Sequence, residues 1–212
     1  MPRCRTGRAG AATDGYRMDM LSARSADAAA SDGQLLARIA RGDQDAVTAL
    51  YRRLERPLFA FLVKTLRDRE AAADVLNETM LDVWRQAGRF EGKSSVATWI
   101  YSIAHHKAVS WLRKRREVEL DEEAVAEIAD DAPSADTKMA AEDMSHAIAR
   151  LMEKLSVDHR IVLQLAYFQE FSVGQIAEIL DCPENTVKTR MFYARQRLRA
   201  LLEAEGIEGA AA

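Results

Sequence analysis

An acidic stretch in the middle of the chain limits what the chain can fold into. Residues 117–137 contain no Lys or Arg, and nine of them are Asp or Glu. Like charges at this density repel one another, and the few apolar residues between them have no partners at helical spacing. We therefore expect a flexible linker over residues 117–138, with one compact module on each side.

Composition allows two small modules and indicates a cytoplasmic protein. Of the 212 residues, 48% are hydrophobic, enough for one sizeable core or two small ones. No run approaches the roughly 20 apolar residues of a membrane helix, and no secretory leader is recognisable.

Residues 1–30 and 206–212 are expected to be disordered. Cys4 and Cys182 are far apart, so we expect unpaired thiols, no metal site and no cofactor.

Residues 31–116 are typical of an all-α module. Apolar residues recur every three or four positions, and they alternate with period two over no useful length. Residue types that cap helix N-termini precede each periodic segment. These candidates are Ser31 or Asp32, Asp43, Asp68, and Ser94 or Ser95. The last two helices are expected to end at about Ala87 and Arg116.

A second all-α module is expected over residues 139–205, and it contains a helix-turn-helix pattern. Ser172 followed by Gln175 matches a capping box for a first short helix. Asp181 stands at the turn, where Asp tolerates a left-handed backbone, and Pro183 suits the first turn of the next helix. Two short helices joined this tightly are a common DNA-binding arrangement.

The helix after this turn has two different faces at about 100° per residue. The predicted core face comprises Val187, Met191, Ala194 and Leu198. The opposite face comprises Thr189, Phe192, Tyr193 and Gln196, with Lys188, Arg190, Arg195 and Arg197 along its edges. Cationic edges can hold phosphates while the centre contacts base edges in the major groove. An ordinary solvated basic face leaves the two aromatic residues unexplained, so the pattern favours DNA reading.

A stripe of acidic residues marks the helix predicted to begin at Asp68. Asp74, Glu78 and Asp82 follow at i, i+4 and i+8, with Leu81 among them, on the side opposite the apolar residues. Carboxylates at this spacing repel one another by a few tenths of a kcal/mol per pair unless something basic covers them. The exposed Leu favours a protein partner, although on spacing alone a solvated acidic face is about as common.

A Gly-containing basic loop and a helix follow over residues 88–116, ending in four cations at 113–116. The expected buried face comprises Val96, Trp99, Ile100 and Ile103, with Thr98, Tyr101 and His105 pointing away. Aromatic groups beside cations suit single-stranded DNA, although core positions are the better interpretation for Trp84, Trp99 and Trp111. Lys107 falls on the apolar side, which requires a snorkelling stem or a bend. His105 and His106 are adjacent, which disfavours metal binding.

Together these motifs resemble the extracytoplasmic-function (ECF) class of bacterial RNA polymerase sigma factors over residues 31–202. The segment DVLNETMLDVW resembles the helix that docks on the clamp helices of the polymerase β′ subunit. The segment RFEGKSSVATWIYSIA resembles the element that opens and reads the -10 region, and CPENTVKTRMFYARQRLR resembles the -35 recognition helix. The resemblance implies sigma domain 2 over 31–116 and helix-turn-helix sigma domain 4 over 139–205.

The resemblance also implies residue roles and partners. Expected to bind polymerase are Asp74, Glu78, Leu81 and Asp82. Expected to face the melted -10 strand are Lys93, Ser94, Ser95, Thr98, Tyr101 and His105. Expected to meet the -35 duplex are Thr186, Lys188, Thr189, Arg190, Phe192, Tyr193 and Arg195. The implied partners are core RNA polymerase, through its β′ clamp helices and β subunit, promoter DNA and an anti-sigma factor clamped on both modules.

Four positions depart from the common pattern of that class. Asn77 stands where Gln is frequent, and Tyr193 stands where Arg is frequent on the -35 helix. His106 and Ser110 stand where Asn and Asp are usual on the -10 helix. These departures leave the promoter sequence open.

The sequence therefore predicts an alternative sigma factor that gives core polymerase its promoter specificity. No HExxH, Walker or GxSxG motif is present, so we expect no enzymatic activity. One alternative is a stand-alone helix-turn-helix regulator that binds duplex operator DNA, which leaves the acidic stripe unexplained. Another is an all-helical adaptor that binds only protein, which leaves the cationic edges unexplained.

Overall fold

The computed structural model describes the backbone of residues 30–123 and 140–207, and the side chains of residues 30–117 and 147–207. All regular structure in these ranges is helical, which confirms the predicted fold class. Most of the predicted linker, the extension before residue 30 and most of the predicted tail lie outside the described residues. No helix in the described ranges is long and apolar enough to cross a membrane.

Four α-helices form the first module. They are α1 (Asp32–Ile39), α2 (Gln44–Leu66), α3 (Arg69–Gln86) and α4 (Val96–Glu123), with a 3₁₀ turn at Ala87–Arg89 between the last two. The predicted caps are confirmed, because Ser31, Asp43 and Asp68 each accept backbone N–H groups from the first turn that follows. Ser95 rather than Ser94 caps α4, since its Oγ accepts from the Thr98 N–H at 3.0 Å.

Helix α4 continues to Glu123, past the end predicted at about Arg116. The prediction considered only repulsion within the acidic stretch. The four cations that precede it stand one helical turn from its first carboxylates, and Arg113 Nε lies 3.9 Å from Glu117 Oε1 at i, i+4. Such pairs favour the helix on both sides of the boundary, so the helix extends into the predicted linker.

Four more α-helices form the second module. They are α5 (Ala140–Glu153), α6 (Val157–Tyr167), α7 (Val173–Leu180) and α8 (Glu184–Ala204). The predicted capping box is present, with Ser172 and Gln175 each accepting the other's backbone N–H. Asp181 has the left-handed backbone expected at the turn, at φ 48°. Pro183 stands immediately before α8 rather than inside its first turn. Helices α7 and α8 therefore form the predicted helix-turn-helix.

The core of each module is built from apolar stripes that face a central helix. In the first module α1, α3 and α4 all pack on α2, and in the second α8 packs on α6 and α7. The largest fully buried side chains are Phe61, Leu35, Leu36, Leu50, Leu58, Leu62, Ile100, Leu151, Ile161, Leu165, Ile176 and Ile179. Close packing of these residues leaves the polar faces of α3 and α8 at the surface.

The two modules also pack against each other. Helix α7 lies on α4, and α6 contacts α2. The rings of Tyr101 and Phe171 meet edge to face at 5.0 Å between centroids, and the buried residues of both modules form one continuous cluster. This contact determines which predicted site residues reach the surface.

The capping box of α7 is testable by one substitution. Ser172→Ala removes the acceptor for the Gln175 N–H, so we expect the free energy of unfolding to fall by about 1 kcal/mol, measured by urea denaturation. Glu178→Ala, exposed on the same helix, is the control and should change stability by less than about 0.5 kcal/mol. Equal losses in the two variants would contradict a capping role for Ser172.

Candidate polymerase and nucleic-acid interfaces

The acidic stripe lies on the surface of α3, as predicted. Asp74 and Glu78 are exposed, and Leu81 between the acidic positions is 51% exposed. The opposite side of the helix is buried through Leu76, Met80 and Val83, and Ala87 just after the helix is buried too. Leu81 therefore exposes apolar surface to water among the carboxylates. A cluster of exposed apolar side chains is typical of a protein contact surface.

Lys107 of α4 reaches this stripe and resolves the ambiguity in its predicted position. Its stem lies against the module, leaving the side chain 23% exposed, and its Nζ lies 2.7 Å from Asp82 Oδ2 and 3.4 Å from Glu78 Oε2. The hydrogen bond to Asp82, with a smaller contribution from Glu78, raises the pKa of Lys107. The stem of Lys107 therefore snorkels. Its ammonium partly neutralises the charges of Glu78 and Asp82, whereas Asp74 remains exposed.

Trp84 enlarges the apolar part of this surface. The prediction that its side chain is in the core is wrong, because Trp84 is 38% exposed. Its neighbour Val83 occupies the core position, and Trp84 stands three residues from Leu81, on the same side of α3. That spacing was the available signal: a residue at i+3 from an exposed Leu belongs to the same face.

Helix α8 presents the predicted reading face. Val187 and Ala194 are fully buried, and Met191 and Leu198 pack against the core, as expected. The opposite side is exposed through Thr189, Phe192, Tyr193 and Gln196. Phe192 and Tyr193 are 57% and 53% exposed and meet edge to face at 5.4 Å between ring centroids. Two large aromatic side chains on one turn of the helix are therefore exposed to solvent.

The cations along α8 differ in their surroundings. Lys188 is exposed and pairs with Glu184 one turn earlier, at 3.3 Å between Nζ and Oε2. Arg195 and Arg197 are also exposed. Arg190 instead turns toward α6, where its Nη2 lies 3.1 Å from Asp158 Oδ2. Of the predicted duplex-binding cations, Lys188 and Arg195 are therefore exposed, whereas Arg190 is half-buried. The uncharged Thr186, also predicted to bind the duplex, is half-buried as well.

The loop before α4 is exposed and anchored at its base. The ring of Phe90 packs on Trp99, with 5.3 Å between centroids. Gly92 has φ +70°, a backbone conformation that glycine adopts without strain. Lys93 and Ser95 are exposed and Ser94 is half-buried, with Lys93 paired to Glu91. Three of the predicted -10 contacts are thus presented on one short loop.

The remaining predicted -10 contacts are buried or half-buried. The prediction that Thr98, Tyr101 and His105 point away from the protein is wrong for Thr98 and Tyr101, which are 1% and 2% exposed. Tyr101 packs on Phe61 of its own module and on Phe171 of the other. The helical wheel placed these residues opposite the first module's main core, but Gln169 and Phe171 of the second module cover Tyr101 on that side.

His105 lies at the edge of the same contact and is half-buried. Burial, with a smaller effect of neighbouring His106, lowers the pKa of His105 to about 4. Asp158 and Arg190 of the second module act on it in opposite directions. Its Nδ1 atom is buried and has no hydrogen-bond partner among the described residues. The imidazole is therefore neutral near pH 7.

The predicted sites fall on three parts of the described structure. These are the acidic stripe of α3, the loop before α4 together with Thr98, Tyr101 and His105 of that helix, and the exposed face of α8. The described residues contain no group of His, Cys, Asp and Glu side chains arranged to hold a metal ion. Cys182, half-buried beside the helix-turn-helix, is a free thiol.

Comparison with known proteins decides the family. Residues 50–118 match the model of Sigma-70 region 2, and residues 145–198 match that of Sigma-70, region 4. The ECF RNA polymerase sigma factor SigM of Mycobacterium tuberculosis is 33% identical over 172 residues, which are 81% of this chain and 85% of that protein. This chain belongs to the ECF class of RNA polymerase sigma factors. The RNA polymerase sigma-H factor of Pseudomonas aeruginosa is 29% identical over 181 residues, 81% of this chain and 94% of that protein.

Two solved structures are similar to this one. RpoE in complex with the anti-sigma factor NepR, from Bartonella quintana, has a TM-score of 0.56 at 27% identity, covering 72% of this chain and 95% of RpoE. CnrH in complex with the cytosolic domain of CnrY has a TM-score of 0.60 at 24% identity, covering 82% and 97% of the two chains. The second likeness supports the fold alone.

Family membership decides between the functions left open by the sequence. As an ECF sigma factor the protein directs transcription initiation, and it is not an enzyme. The stand-alone regulator and the protein-binding adaptor are therefore set aside. The sigma factor's region 2 contains the acidic stripe of α3 and helix α4 as far as residue 118, and region 4 contains the exposed face of α8.

The Lys107 pairing on α3 is testable by stability. Lys107→Met keeps the stem and removes the charge, so we expect the free energy of unfolding to fall by about 1 kcal/mol at low salt and by less at high salt. Lys93→Met, whose side chain is 85% exposed, is the control and should change stability by less than about 0.5 kcal/mol. A salt-independent loss at Lys107 would argue against an ionic origin.

Proposed function

We propose that the stripe of α3 is the surface by which this sigma factor binds core RNA polymerase, at the clamp helices of the β′ subunit. Asp74, Glu78 and Asp82 supply negative charge, and Leu81 supplies apolar area that water otherwise covers. Interfaces of this kind combine an apolar anchor, which gives affinity, with surrounding charges, which give orientation and association rate. Lys107 holds Asp82 in place and leaves Asp74 available to a basic partner.

The exposed face of α8 is proposed to read the -35 duplex. Thr189, Phe192 and Tyr193 point into solvent, where a major groove can receive them, and Lys188 and Arg195 stand where backbone phosphates pass. Thr186 and Arg190 are half-buried at the start of the helix and contribute at its edge. With region 4 held on the polymerase β subunit, this contact would set the upstream end of the promoter.

The loop before α4 and the helix itself are proposed to capture the melted -10 strand. Lys93, Ser94 and Ser95 offer a cation and two hydroxyl groups on the loop, and Tyr101 and His105 offer rings on which unpaired bases can stack. Thr98 stands between these two groups, with its Oγ1 2.7 Å from Ser95 Oγ. Because Gln169 and Phe171 of the second module cover Tyr101 here, this role requires the second module to move away.

We also propose an anti-sigma factor as a partner and the cytoplasm as the site of action. The sigma factor RpoE, which is similar to this chain, forms a complex with the anti-sigma factor NepR. An anti-sigma factor that holds the two modules together would prevent Tyr101 of α4 from contacting DNA.

One observation carries the proposal: separate modules of one chain present an acidic, partly apolar surface and a cation-edged aromatic surface. The test is run-off transcription with purified chain and core polymerase on genomic fragments of the source organism. We expect transcripts from a small set of fragments whose start sites share upstream sequence. Core polymerase alone is the control. Binding of duplex DNA without any support of initiation would contradict the proposal.

The division of roles between α3 and α8 is testable by paired variants. The double variant Asp74→Asn with Leu81→Ser should weaken copurification with core polymerase by about tenfold, because it removes charge and an apolar anchor. Lys188→Ala should spare polymerase binding, weaken promoter binding by the holoenzyme and reduce its salt slope by about 0.9.

The matched controls for these variants are exposed residues of the same chemistry. Glu55→Gln on α2 removes a carboxylate away from the stripe, and Arg199→Ala removes a cation of α8 beyond the reading face. Both should leave both activities unchanged. Equal loss of polymerase and promoter binding in each test variant would overturn the division.

A further inference from the structure

We propose that the exposed face of α8 selects A·T base pairs in the -35 duplex, with Phe192 and Tyr193 packing on the C5-methyl groups of thymine. The inference rests on the proposed role of α8 in reading that duplex, and it goes further in naming the bases that the face prefers. It also makes Tyr193 a specificity-determining residue. The choice is made at the base edges, because thymine alone offers a methyl group in the major groove.

The aromatic pair supplies the apolar part of this face. Phe192 and Tyr193 are 57% and 53% exposed, and their rings meet edge to face with 5.4 Å between centroids. This contact favours one arrangement of the two rings, and the buried side chains of Val187 and Ala194 fix the helix behind them. Apolar side chains in the major groove contact the methyl group of thymine. A pair that is ordered before binding loses little conformational freedom when it docks.

Thr189 and Gln196, the polar members of the face, disfavour guanine and suit adenine. The Thr189 hydroxyl donates to the carbonyl of Asn185 at 2.8 Å, so this side chain offers DNA an acceptor and a methyl group but no donor. Guanine presents only acceptors in the major groove and cannot pair with such a group, whereas adenine presents an amino group. The exposed amide of Gln196 can pair with both N6 and N7 of adenine.

The cations that could select guanine lie along the edges of the face. Guanine is bound by a cationic side chain that donates to its O6 and N7 atoms. Lys188 pairs with Glu184 at 3.3 Å, and Arg195 follows on the same edge two turns later. On the other edge Arg190 is half-buried, with its Nη2 3.1 Å from Asp158 Oδ2. The centre of the face is therefore uncharged and is complementary to A·T pairs.

The first test removes thymine methyl groups one at a time. The probe is a promoter fragment identified by run-off transcription, in which deoxyuridine replaces each thymidine of the -35 segment in turn. Uracil keeps the base pair and lacks only the methyl group, so we expect holoenzyme affinity, measured by gel-shift competition, to fall about fourfold at each contacted position. Deoxyuridine in the spacer between the -35 and -10 segments is the control. Unchanged affinity at every -35 position would overturn the inference.

Variants of Tyr193 assign the methyl effect to one side chain. Tyr193→Phe keeps the ring, so the loss caused by deoxyuridine should persist. Tyr193→Ala removes the ring, so one or more positions should no longer respond to deoxyuridine, because the contact is already absent. Far-UV circular dichroism verifies that each variant is folded. Identical deoxyuridine responses in Tyr193→Ala and the unmodified chain would contradict the role of Tyr193.

A change of preference is the second test. In a selection from fragments randomised in the -35 segment, the unmodified chain should enrich A·T pairs. Tyr193→Arg should enrich guanine about tenfold at one position, because a guanidinium donates to both O6 and N7. Tyr167→Arg is the matched control, since it adds the same charge at a residue of region 4 that is 59% exposed and lies outside α8. Enrichment of G·C pairs by the unmodified chain would overturn the inference, and no gain of guanine with Tyr193→Arg would remove Tyr193 as a specificity-determining residue.

Lys188→Ala separates failure of this inference from failure of the proposed function. If Lys188→Ala leaves promoter binding unchanged, the proposed reading of the -35 duplex by α8 is wrong, and this inference is wrong with it. If Lys188→Ala weakens promoter binding but deoxyuridine has no effect, the proposed reading stands and only the choice of bases is wrong.

Discussion

The apolar stripe of α2 is the constraint on which the rest of the structure depends. Helices α1, α3 and α4 of region 2 all pack on it, and Leu50, Leu58 and Leu62 along it are fully buried. Burial of a large aliphatic side chain stabilises a fold by roughly 1.5–3 kcal/mol, so this stripe supplies a substantial share of the module's stability. When the apolar sides of the other three helices cover α2, the polar sides of those helices face the solvent.

The positions of the functional surfaces follow from that packing. Helix α3 buries Met80 and Val83 in the core, and its stripe of carboxylates is then turned outward, where Lys107 can reach it from α4. In region 4 the same logic applies to α8, whose buried Val187 and Ala194 leave Phe192 and Tyr193 in water. Each surface is presented by a rigid helix whose opposite side is fixed in a core.

Most of the fold was predictable from local patterns, because caps and amphipathic faces are properties of a single helix. Ser31, Asp43, Asp68 and Ser172 cap as expected, and both faces of α8 were correctly assigned. The predictions that Trp84 lies in the core and that α4 ends at about Arg116 were wrong, because each outcome depends on neighbours three or four residues away. The burial of Tyr101 was not predictable, since its partners Gln169 and Phe171 are far away in sequence and belong to another module.

The double use of Tyr101 has a consequence for how such a protein can diverge. A side chain that both stacks against Phe171 and is proposed to meet promoter bases is under two selective demands at once. Under the proposed role, a substitution of Tyr101 would change promoter choice and also the packing between the two modules, and it would need a compensating change around Gln169. Promoter preference and module packing would then change together, whereas changes at the exposed Tyr193 of α8 would alter only the proposed -35 contact.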